Sequence, residues 1–382
     1  MRSSELQLPP LSLYVHIPWC IKKCPYCDFN SHTAKTEIPE KEYLISLIDD
    51  LNKSLNFVQS RKLSSIFFGG GTPSLFSARA IGEIISAADS QIGFDKNIEI
   101  TLEVNPGTFE QKKFSDYKIN GINRLSIGIQ SFDDNKLLDL GRIHSSEQAI
   151  SAVEKAKLVG FDNINLDLMY GLPKQAPTQA MNDLRLAIEL APKHISWYQL
   201  TIEPNTEFFN KPPLLANDVQ IELMQDEGKK LLANAGYEQY EISAYCKVNK
   251  KSLHNMNYWK FGDYIGIGAG AHGKVTLAEE KRIVRTQKTR SPKDYLDSEK
   301  SYTSSFKEID HKDLPLEFMM NILRINRGVP REVFKNRTGL SYAIIEPSLV
   351  KLKRRLLIED LDEVICSTHK GRLFLNSVLE YF

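Results

Sequence analysis

The sequence contains no run of about 18 apolar residues, so no membrane-spanning helix is predicted. It also lacks an excess of charge, because 49 Lys plus Arg against 48 Asp plus Glu leave a net charge of +1. A near-neutral chain does not carry the basic surface that nucleic acid attracts, so nucleic acid is not an expected partner. Residues 1–10 have no apolar core and do not resemble a secretory signal. A cytoplasmic protein is therefore expected.

Cysteine is scarce, with five in 382 residues, and three of these five lie within eight positions. An odd and clustered set in a chain of this length argues against a disulfide framework. We therefore expect reduced cysteines. Cys246 and Cys366 stand alone and are expected to be small buried apolar side chains.

Short alternating apolar runs and helical patterns follow one another about six times between residues 11 and 205. Strands are predicted at 11–17, 66–68, 98–104, 123–130, 163–168 and 195–201, and helices at 145–158 and 178–190. This repetition is typical of parallel strands joined by right-handed crossovers.

The predicted strands have one apolar face and one polar face. The first strand carries Ser12, Tyr14 and His16 on one face, and three later strands carry comparable polar residues. A closed eight-stranded barrel fills its interior with bulky branched side chains instead. The sequence therefore predicts an α/β fold built on a partial (β/α)6 barrel, open and incomplete, whose polar interior holds a ligand.

The pattern changes after residue 205. Further helices are predicted at 218–235, 314–326, 330–337 and 341–355, with short strands between 237 and 285. A small hairpin between Asp362 and Leu375 would complete a mostly helical, winged-helix-like domain. Four regions are thus predicted, namely a tail at 1–10, the barrel at 11–205, a barrel extension at 206–310 and the C-terminal domain at 311–382.

The clustered cysteines form C-x3-C-x2-C, with Cys20, Cys24 and Cys27 directly after the first strand. Iron–sulfur clusters are usually held by four cysteines, so three leave one iron without a protein ligand. An open coordination position is typical of a metal centre that binds substrate. These residues favour an iron–sulfur cluster, and the alternative is zinc with His32 as the fourth ligand.

The segments YVHIPWCIKKCPYCDFNSH, FFGGGTPSL, EVNPG, GIQSF, LGRIH, NLDLMYGLP and HNMNYW occur in this order along the chain. The three-cysteine motif resembles the signature of the radical S-adenosylmethionine (SAM) superfamily. The ordered set is similar to the family of anaerobic coproporphyrinogen oxidases and, within it, to the haem chaperones of the HemW type. The superfamily resemblance implies a [4Fe–4S] cluster whose open iron binds SAM, with Cys20, Cys24 and Cys27 as ligands.

The resemblance also implies which residues contact SAM. Tyr26 would contact it between two cluster ligands, Tyr14 would support it from the barrel mouth, and Thr201 is a further candidate on the last strand. The remaining implied SAM residues are Gly70, Gly71, Thr72, Glu103, Gln130, Arg142 and Asp167. Glycine lets the backbone come close to a ligand, and an arginine suits the carboxylate of SAM.

A second glycine pattern, Gly268-Ala-Gly270-Ala-His-Gly273, matches the G-x-G-x-x-G of dinucleotide-binding folds. That fingerprint must open a helix inside a βαβ unit. The residues that follow are strand-like and lie outside the repeated α/β region. We therefore predict that this segment is not a nicotinamide site.

Two departures separate the chain from the oxidase pattern. Phe29 stands where the oxidases have a fourth cysteine. Only 19 residues precede Cys20, whereas the oxidase pattern has a longer N-terminal extension. The motif H-N-x-x-Y-W, present from His254 to Trp259, is shared with the chaperone branch, and histidine is a usual ligand of haem iron. The resemblance therefore implies a haem chaperone that binds a [4Fe–4S] cluster, SAM and haem, and passes haem to acceptor proteins, membrane proteins among them.

Two alternatives remain open from the sequence. One is an oxygen-independent coproporphyrinogen III oxidase that decarboxylates propionate side chains. The other is a binding module stabilised by zinc.

Overall fold

The protein is described by a computed structural model that covers residues 6–107 and 111–382. Residues 1–5 of the predicted tail lie outside this part of the chain. Within the described ranges, twelve strands form one continuous sheet. Its parallel strands, in spatial order, are β11 (Asp263–Ile267), β1 (Leu11–Ile17), β4 (Leu63–Gly70), β5 (Phe94–Val104), β6 (Arg124–Gln130), β7 (Asn163–Tyr170) and β8 (His194–Gln199).

The predicted partial (β/α)6 barrel is confirmed, because the six strands expected between residues 11 and 201 are present and parallel. Two strands begin earlier than predicted, at Leu63 and Phe94, and the sixth ends at Gln199 instead of 201. A seventh parallel strand, β11, pairs with β1 and comes from the region predicted as the barrel extension.

Helices connect the parallel strands and cover the outer face of the sheet. They are α1 (Glu40–Lys53), α2 (Ala78–Gln91), α3 (Phe114–Ile119), α4 (Asp134–Asp139), α5 (Ser146–Leu158) and α6 (Pro177–Glu189). Ser145 begins α5 with a capping box in which its hydroxyl accepts from the Gln148 backbone N–H. Ala149, Ala152 and Val153 then face the sheet and are fully buried.

The polar face of the strands lines the barrel interior, as the sequence predicts. Leu11, Leu13 and Val15 of β1 are 0% exposed in the outer core, whereas Ser12 bonds across the interior face to Ser65, with 2.8 Å between the hydroxyl oxygens. The alternation places every second residue on each face. The interior is therefore a polar compartment that side chains only partly fill.

Antiparallel strands extend the sheet beyond both ends of the parallel array. They are β9 (Glu238–Glu241), β10 (Ala244–Cys246), β12 (His272–Leu277), β13 (Arg282–Lys288) and β14 (Thr303–Glu308). The helices of this region are α7 (Glu207–Asn210), α8 (Asp218–Asn234), α9 (Leu253–Trp259) and α10 (Pro292–Tyr295). A separate parallel pair, β2 (Trp19–Cys20) and β3 (His32–Thr33), brackets the cysteine loop.

The C-terminal region is mostly helical and has its own apolar core. Its elements are α11 (Leu314–Ile322), β15 (Val329–Pro330), α12 (Glu332–Thr338), α13 (Glu346–Arg354), β16 (Val364–Ile365), α14 (His369–Leu373) and α15 (Leu375–Leu379).

The predicted hairpin between Asp362 and Leu375 is wrong. β16 pairs with the distant β15, and the Thr368 hydroxyl begins α14 by accepting from the Gly371 backbone N–H, so the second half of the expected hairpin is helical.

No helix in the described residues is long and apolar enough to cross a membrane.

Candidate functional site

A cavity of about 280 Å³ opens at the carboxyl ends of the parallel strands, where ligand sites of α/β barrels lie. We call it the cysteine cavity. It is lined by Cys20, Lys22, Lys23, Cys24, Tyr26, Cys27, Phe29, Ser31, Gly70, Gly71, Thr72, Pro73, Glu103, Val104, Asn105, Ser126, Gly128, Gln130, Arg142, Asp167 and Tyr198.

The three clustered cysteines meet at this cavity. Cys20 ends β2 and is buried, while Cys24 and Cys27 are half-buried and joined by a turn in which the Cys27 N–H donates to the Cys24 carbonyl at 3.1 Å. Burial, together with the other two thiols, raises the pKa of Cys20. His32, the fourth ligand of the zinc alternative, is exposed on β3 and is not among the lining residues.

Gly71, the first residue after β4, is required by a close approach to β2, the strand that ends at Cys20. A Cβ on Gly71 would lie 2.4 Å from the Trp19 carbonyl oxygen, inside van der Waals contact. The Thr72 N–H donates to that same oxygen at 2.7 Å. Thus the Gly-rich strand end forms part of the cavity wall with bare backbone.

Arg142 is held by neighbouring strand ends. Its Nη2 donates to Asn105 Oδ1 at 2.7 Å and to the Gly128 carbonyl at 2.8 Å, and its Nη1 lies 3.7 Å from Cys24 Sγ. Asn105 in turn donates to the Thr72 hydroxyl at 3.0 Å. The Nε of Arg142 is buried and has no hydrogen-bond partner in the described part of the chain, so the guanidinium retains a donor for an anionic ligand.

Two carboxyl groups face the cavity from inside the barrel. Burial and the charge of Asp167 raise the pKa of Glu103 to about 8, although the carboxylate accepts from the Gly70 backbone N–H. Burial also raises the pKa of Asp167, which accepts from Ser126 at 2.8 Å and Asn165 at 2.9 Å. Glu103 is thus poised to exchange a proton or to pair with a ligand cation near neutral pH.

The structure brings most of the predicted site residues to the cysteine cavity but separates three from it. Tyr14 and His254 line a neighbouring cavity, and Thr201 lies beyond the end of β8, exposed, with its hydroxyl donating to Glu203 at 3.0 Å. Gln130, with φ +69°, does reach the cavity and accepts from the Tyr198 hydroxyl at 2.9 Å.

Asn105, Ser126 and Tyr198 line the cavity and were not predicted as site residues. The available signal for Asn105 was its position as the first residue after β5.

The neighbouring cavity is larger, about 730 Å³, and we call it the aromatic cavity. It is lined by Tyr14, His16, Asp28, Phe29, Asn30, Phe67, Gly70, Glu103, His254, Asn255, Tyr258, Trp259, Tyr264, Gly270, His272, Gln287 and Arg290. The whole H-N-x-x-Y-W motif lies on α9, which places these four side chains at one wall.

His254 is mostly enclosed in this wall. Its side chain is 8% exposed, its Nδ1 lies 3.0 Å from the Ser65 hydroxyl, and the Phe67 ring is 5.1 Å away between centroids. Burial and the nearby Arg124 guanidinium lower the pKa of His254 to about 3. The imidazole is therefore neutral at physiological pH, the form that can bind a metal.

The two cavities adjoin. Gly70, Glu103 and Phe29 line both of them, and Phe29 is 63% exposed at the rim. Ligands in the two cavities would therefore be separated by little more than one strand end.

Comparison with known proteins agrees with this arrangement. Residues 14–187 match the Radical SAM superfamily, and residues 309–374 match the HemN C-terminal domain. The chain is 50% identical over 381 residues to the heme chaperone HemW of Haemophilus influenzae, covering 98% of each chain. The chain belongs to the HemW family. The Escherichia coli HemW protein is 47% identical over 377 residues, which is 99% of each chain.

A solved structure with lower sequence identity has the same fold. The structure of coproporphyrinogen III oxidase (HemN) from Escherichia coli superposes with a TM-score of 0.81 at 23% identity, covering 98% of this chain and 90% of that one. This likeness confirms the radical SAM α/β fold. It carries no information on which reaction a HemW-family chain performs.

Proposed function

We propose that this protein is a haem chaperone that holds a [4Fe–4S] cluster and SAM in the cysteine cavity, holds haem in the aromatic cavity, and transfers haem to acceptor proteins. The observation that carries the proposal is the pair of adjoining cavities with a shared wall at Gly70 and Glu103. One cavity has the thiol donors of a cluster, and the other has the aromatic walls and imidazoles suited to a porphyrin.

The cysteine cavity fits a cluster and SAM by the chemistry of its side chains. Three thiols from one short loop supply soft sulfur ligands, and three are one fewer than a four-iron cluster accepts. A cluster bound there supplies one-electron chemistry to SAM at its open iron. Arg142 is suited to the SAM carboxylate because its buried Nε is free, and Asp167 and Glu103 are suited to the amino group and the ribose hydroxyls.

The aromatic cavity fits haem by size and lining. Its volume of about 730 Å³ lies within the range of small-molecule sites, which are mostly apolar with a few polar groups. The rings of Tyr14, Phe67 and Trp259 offer surfaces for a macrocycle, and His254 offers a neutral imidazole for the iron. The names of the relatives, heme chaperone HemW, support the same ligand.

Transfer requires haem-accepting partner proteins, and we propose that these include membrane proteins reached from the cytoplasm. The exposed Phe29 at the rim of both cavities supports a site that a partner can approach. The alternative function, a coproporphyrinogen III oxidase, is disfavoured because Phe29 occupies the position of the oxidases' fourth cysteine.

The test is a haem titration of anaerobically reconstituted protein, followed by the Soret absorption, with iron and sulfide measured on the same sample. We expect one haem per chain, and weaker binding by His254→Ala at unchanged cluster content. His311→Ala is the matched control because His311 is an exposed histidine far along the chain in the C-terminal region. Failure of the wild type to bind haem with its cluster intact would refute the chaperone.

A further inference from the structure

The hairpin between β11 and β12 contributes a second wall of the aromatic cavity, apart from the wall formed by α9. Residues 268–271 of the glycine-rich segment form its turn and residues 272–273 begin β12, so this segment does not open a helix. Gly270 of the turn and His272 at the start of β12 line the cavity, together with Arg290 just beyond β13. His272 and Arg290 therefore face the cavity from elements other than α9.

The three imidazoles of the aromatic cavity differ in how free they are. Both ring nitrogens of His16 are engaged, Nδ1 with the Tyr14 hydroxyl at 3.0 Å and Nε2 with the Asn30 carbonyl at 2.9 Å. His254 has one nitrogen engaged and is buried. His272 is exposed, and neither of its ring nitrogens has a hydrogen-bond partner within the described ranges.

Arg290 brings a positive charge to the same side. Its guanidinium is exposed and forms no ion pair or hydrogen bond with any described residue. The other lining residues include no lysine or arginine among those the structure describes. A free guanidinium beside an apolar cavity suits a carboxylate on the ligand, and haem carries two propionates.

We propose that His272 is an exchangeable ligand of the haem iron and that Arg290 pairs with a propionate, which rests on the proposed function of haem binding in this cavity. On release, the bond from the His272 nitrogen to the iron would break and a donor atom of the acceptor protein would form the replacing bond, with no change in oxidation state. An exposed ligand is suited to this role, because a partner can reach it while His254 stays enclosed.

The state of His272 agrees with this assignment. Partial burial and the neighbouring guanidiniums of Arg285 and Arg290 lower the pKa of His272 below its usual range. The imidazole is therefore neutral near pH 7, with a lone pair available for iron.

The backbone around His272 is also held in place. Gly270 has φ +88°, and a Cβ there would lie 2.2 Å from the Asn30 amide nitrogen. That amide donates at 2.9 Å to the carbonyls of both Ala269 and Arg290. The turn that precedes His272 is thereby fixed against the cysteine loop, which is the kind of support a ligand position requires.

The test uses full-length, cluster-loaded protein with ferric haem and reads the iron coordination by Soret absorption and electron paramagnetic resonance. We expect His272→Ala to change the coordination spectrum, because one iron ligand is lost, and to release haem to apomyoglobin about tenfold faster, which corresponds to about 1.4 kcal/mol. Free imidazole should restore the wild-type spectrum. His311→Ala should match the wild type.

The possible results separate the two proposals. A wild-type spectrum and release rate in His272→Ala, with haem bound to the wild type, would overturn the ligand assignment and leave the chaperone standing. A changed spectrum that imidazole does not restore would also overturn it, because the effect would then be structural. Absence of haem binding by the wild type would overturn both. For the propionate, Arg290→Gln should speed release, whereas Lys293→Gln, an exposed cation three residues away, should not.

Discussion

The side-chain amide of Asn30 donates a hydrogen bond of 2.9 Å to the main-chain oxygen of Arg290. Asn30 lies three residues after Cys27 in the sequence, whereas Arg290 lies at the wall of the aromatic cavity. A second bond from the same amide reaches Ala269. The loop that carries the cysteines is therefore tied directly to the hairpin that lines the neighbouring cavity.

Asn30→Ala should weaken haem binding while the cluster content stays unchanged. The variant removes the bonds to Ala269 in the hairpin and to Arg290 beyond β13 but leaves the three thiols in place. Two lost hydrogen bonds of about 1 kcal/mol each correspond to roughly tenfold or more in affinity. The measurement is a haem titration with iron and sulfide analysis. Asn52→Ala, at an exposed position of α1, is the control. Equal haem affinity in both variants would show that the tie is unimportant.

Cys24→Ser should abolish the [4Fe–4S] cluster, because a hydroxyl does not replace a thiolate as an iron ligand at this site. Iron and acid-labile sulfide per chain, after anaerobic reconstitution, provide the readout. Cys366→Ser should keep full cluster content, since Cys366 lies in the C-terminal region and a hydroxyl can still donate to the Asn326 carbonyl. Full iron and sulfide in Cys24→Ser would refute the ligand assignment.

Asn105→Ala and Thr201→Ala should differ in SAM affinity. Asn105 connects Arg142 to Thr72, so its loss frees the guanidinium and should weaken SAM binding by about tenfold. Thr201 lies outside the cysteine cavity, so Thr201→Ala should bind SAM as the wild type does. Equilibrium binding to cluster-loaded protein measures both. Weaker binding by Thr201→Ala alone would mean that the strand ends are arranged differently around SAM.

Glu103→Gln should make the stability of the cluster-free protein less dependent on pH. The pKa of Glu103 is raised from 4.5 to about 8, so the folded state binds the proton more tightly than the unfolded state does. The stability that protonation of Glu103 contributes is therefore fully present below about pH 4.5 and is lost as the pH rises towards 8.

The variant removes this loss. Its free energy of unfolding should exceed that of the wild type by on the order of 1–2 kcal/mol at about pH 9, with little difference at about pH 5. Denaturant titrations at the two pH values measure this. An equal difference at both would show that ionisation of Glu103 is not its cause.

Much of the barrel could be predicted because its signals are local. The alternation of Leu11, Ser12 and Leu13 assigns both faces of β1 without knowledge of any other strand. Local signals are also present for α2, which is absent from the predicted helices. Ser77 caps it, and its apolar residues have helical spacing. The local sequence pattern is therefore sufficient to predict such strands and helices.

The remaining features depend on contacts between distant parts of the chain. Val364 and Ile365 look like half of a hairpin, but they pair with Val329 and Pro330, more than 30 residues away. Asn105 acquires its role only from Arg142, which folding brings to it across 37 positions. Thr201 is implied only by the family resemblance, and the register at the end of β8, on which its position depends, cannot be derived from the sequence alone. These pairings are fixed by packing and not by local propensity.

The most direct measurement supplies the protein with coproporphyrinogen III. Anaerobically reconstituted protein with a verified intact cluster is mixed with SAM, a strong reductant and the porphyrinogen, and protoporphyrinogen is then assayed. The chaperone account predicts no protoporphyrinogen from a preparation that binds one haem per chain. Protoporphyrinogen formed over repeated turnovers would contradict the account and identify the protein as an oxidase.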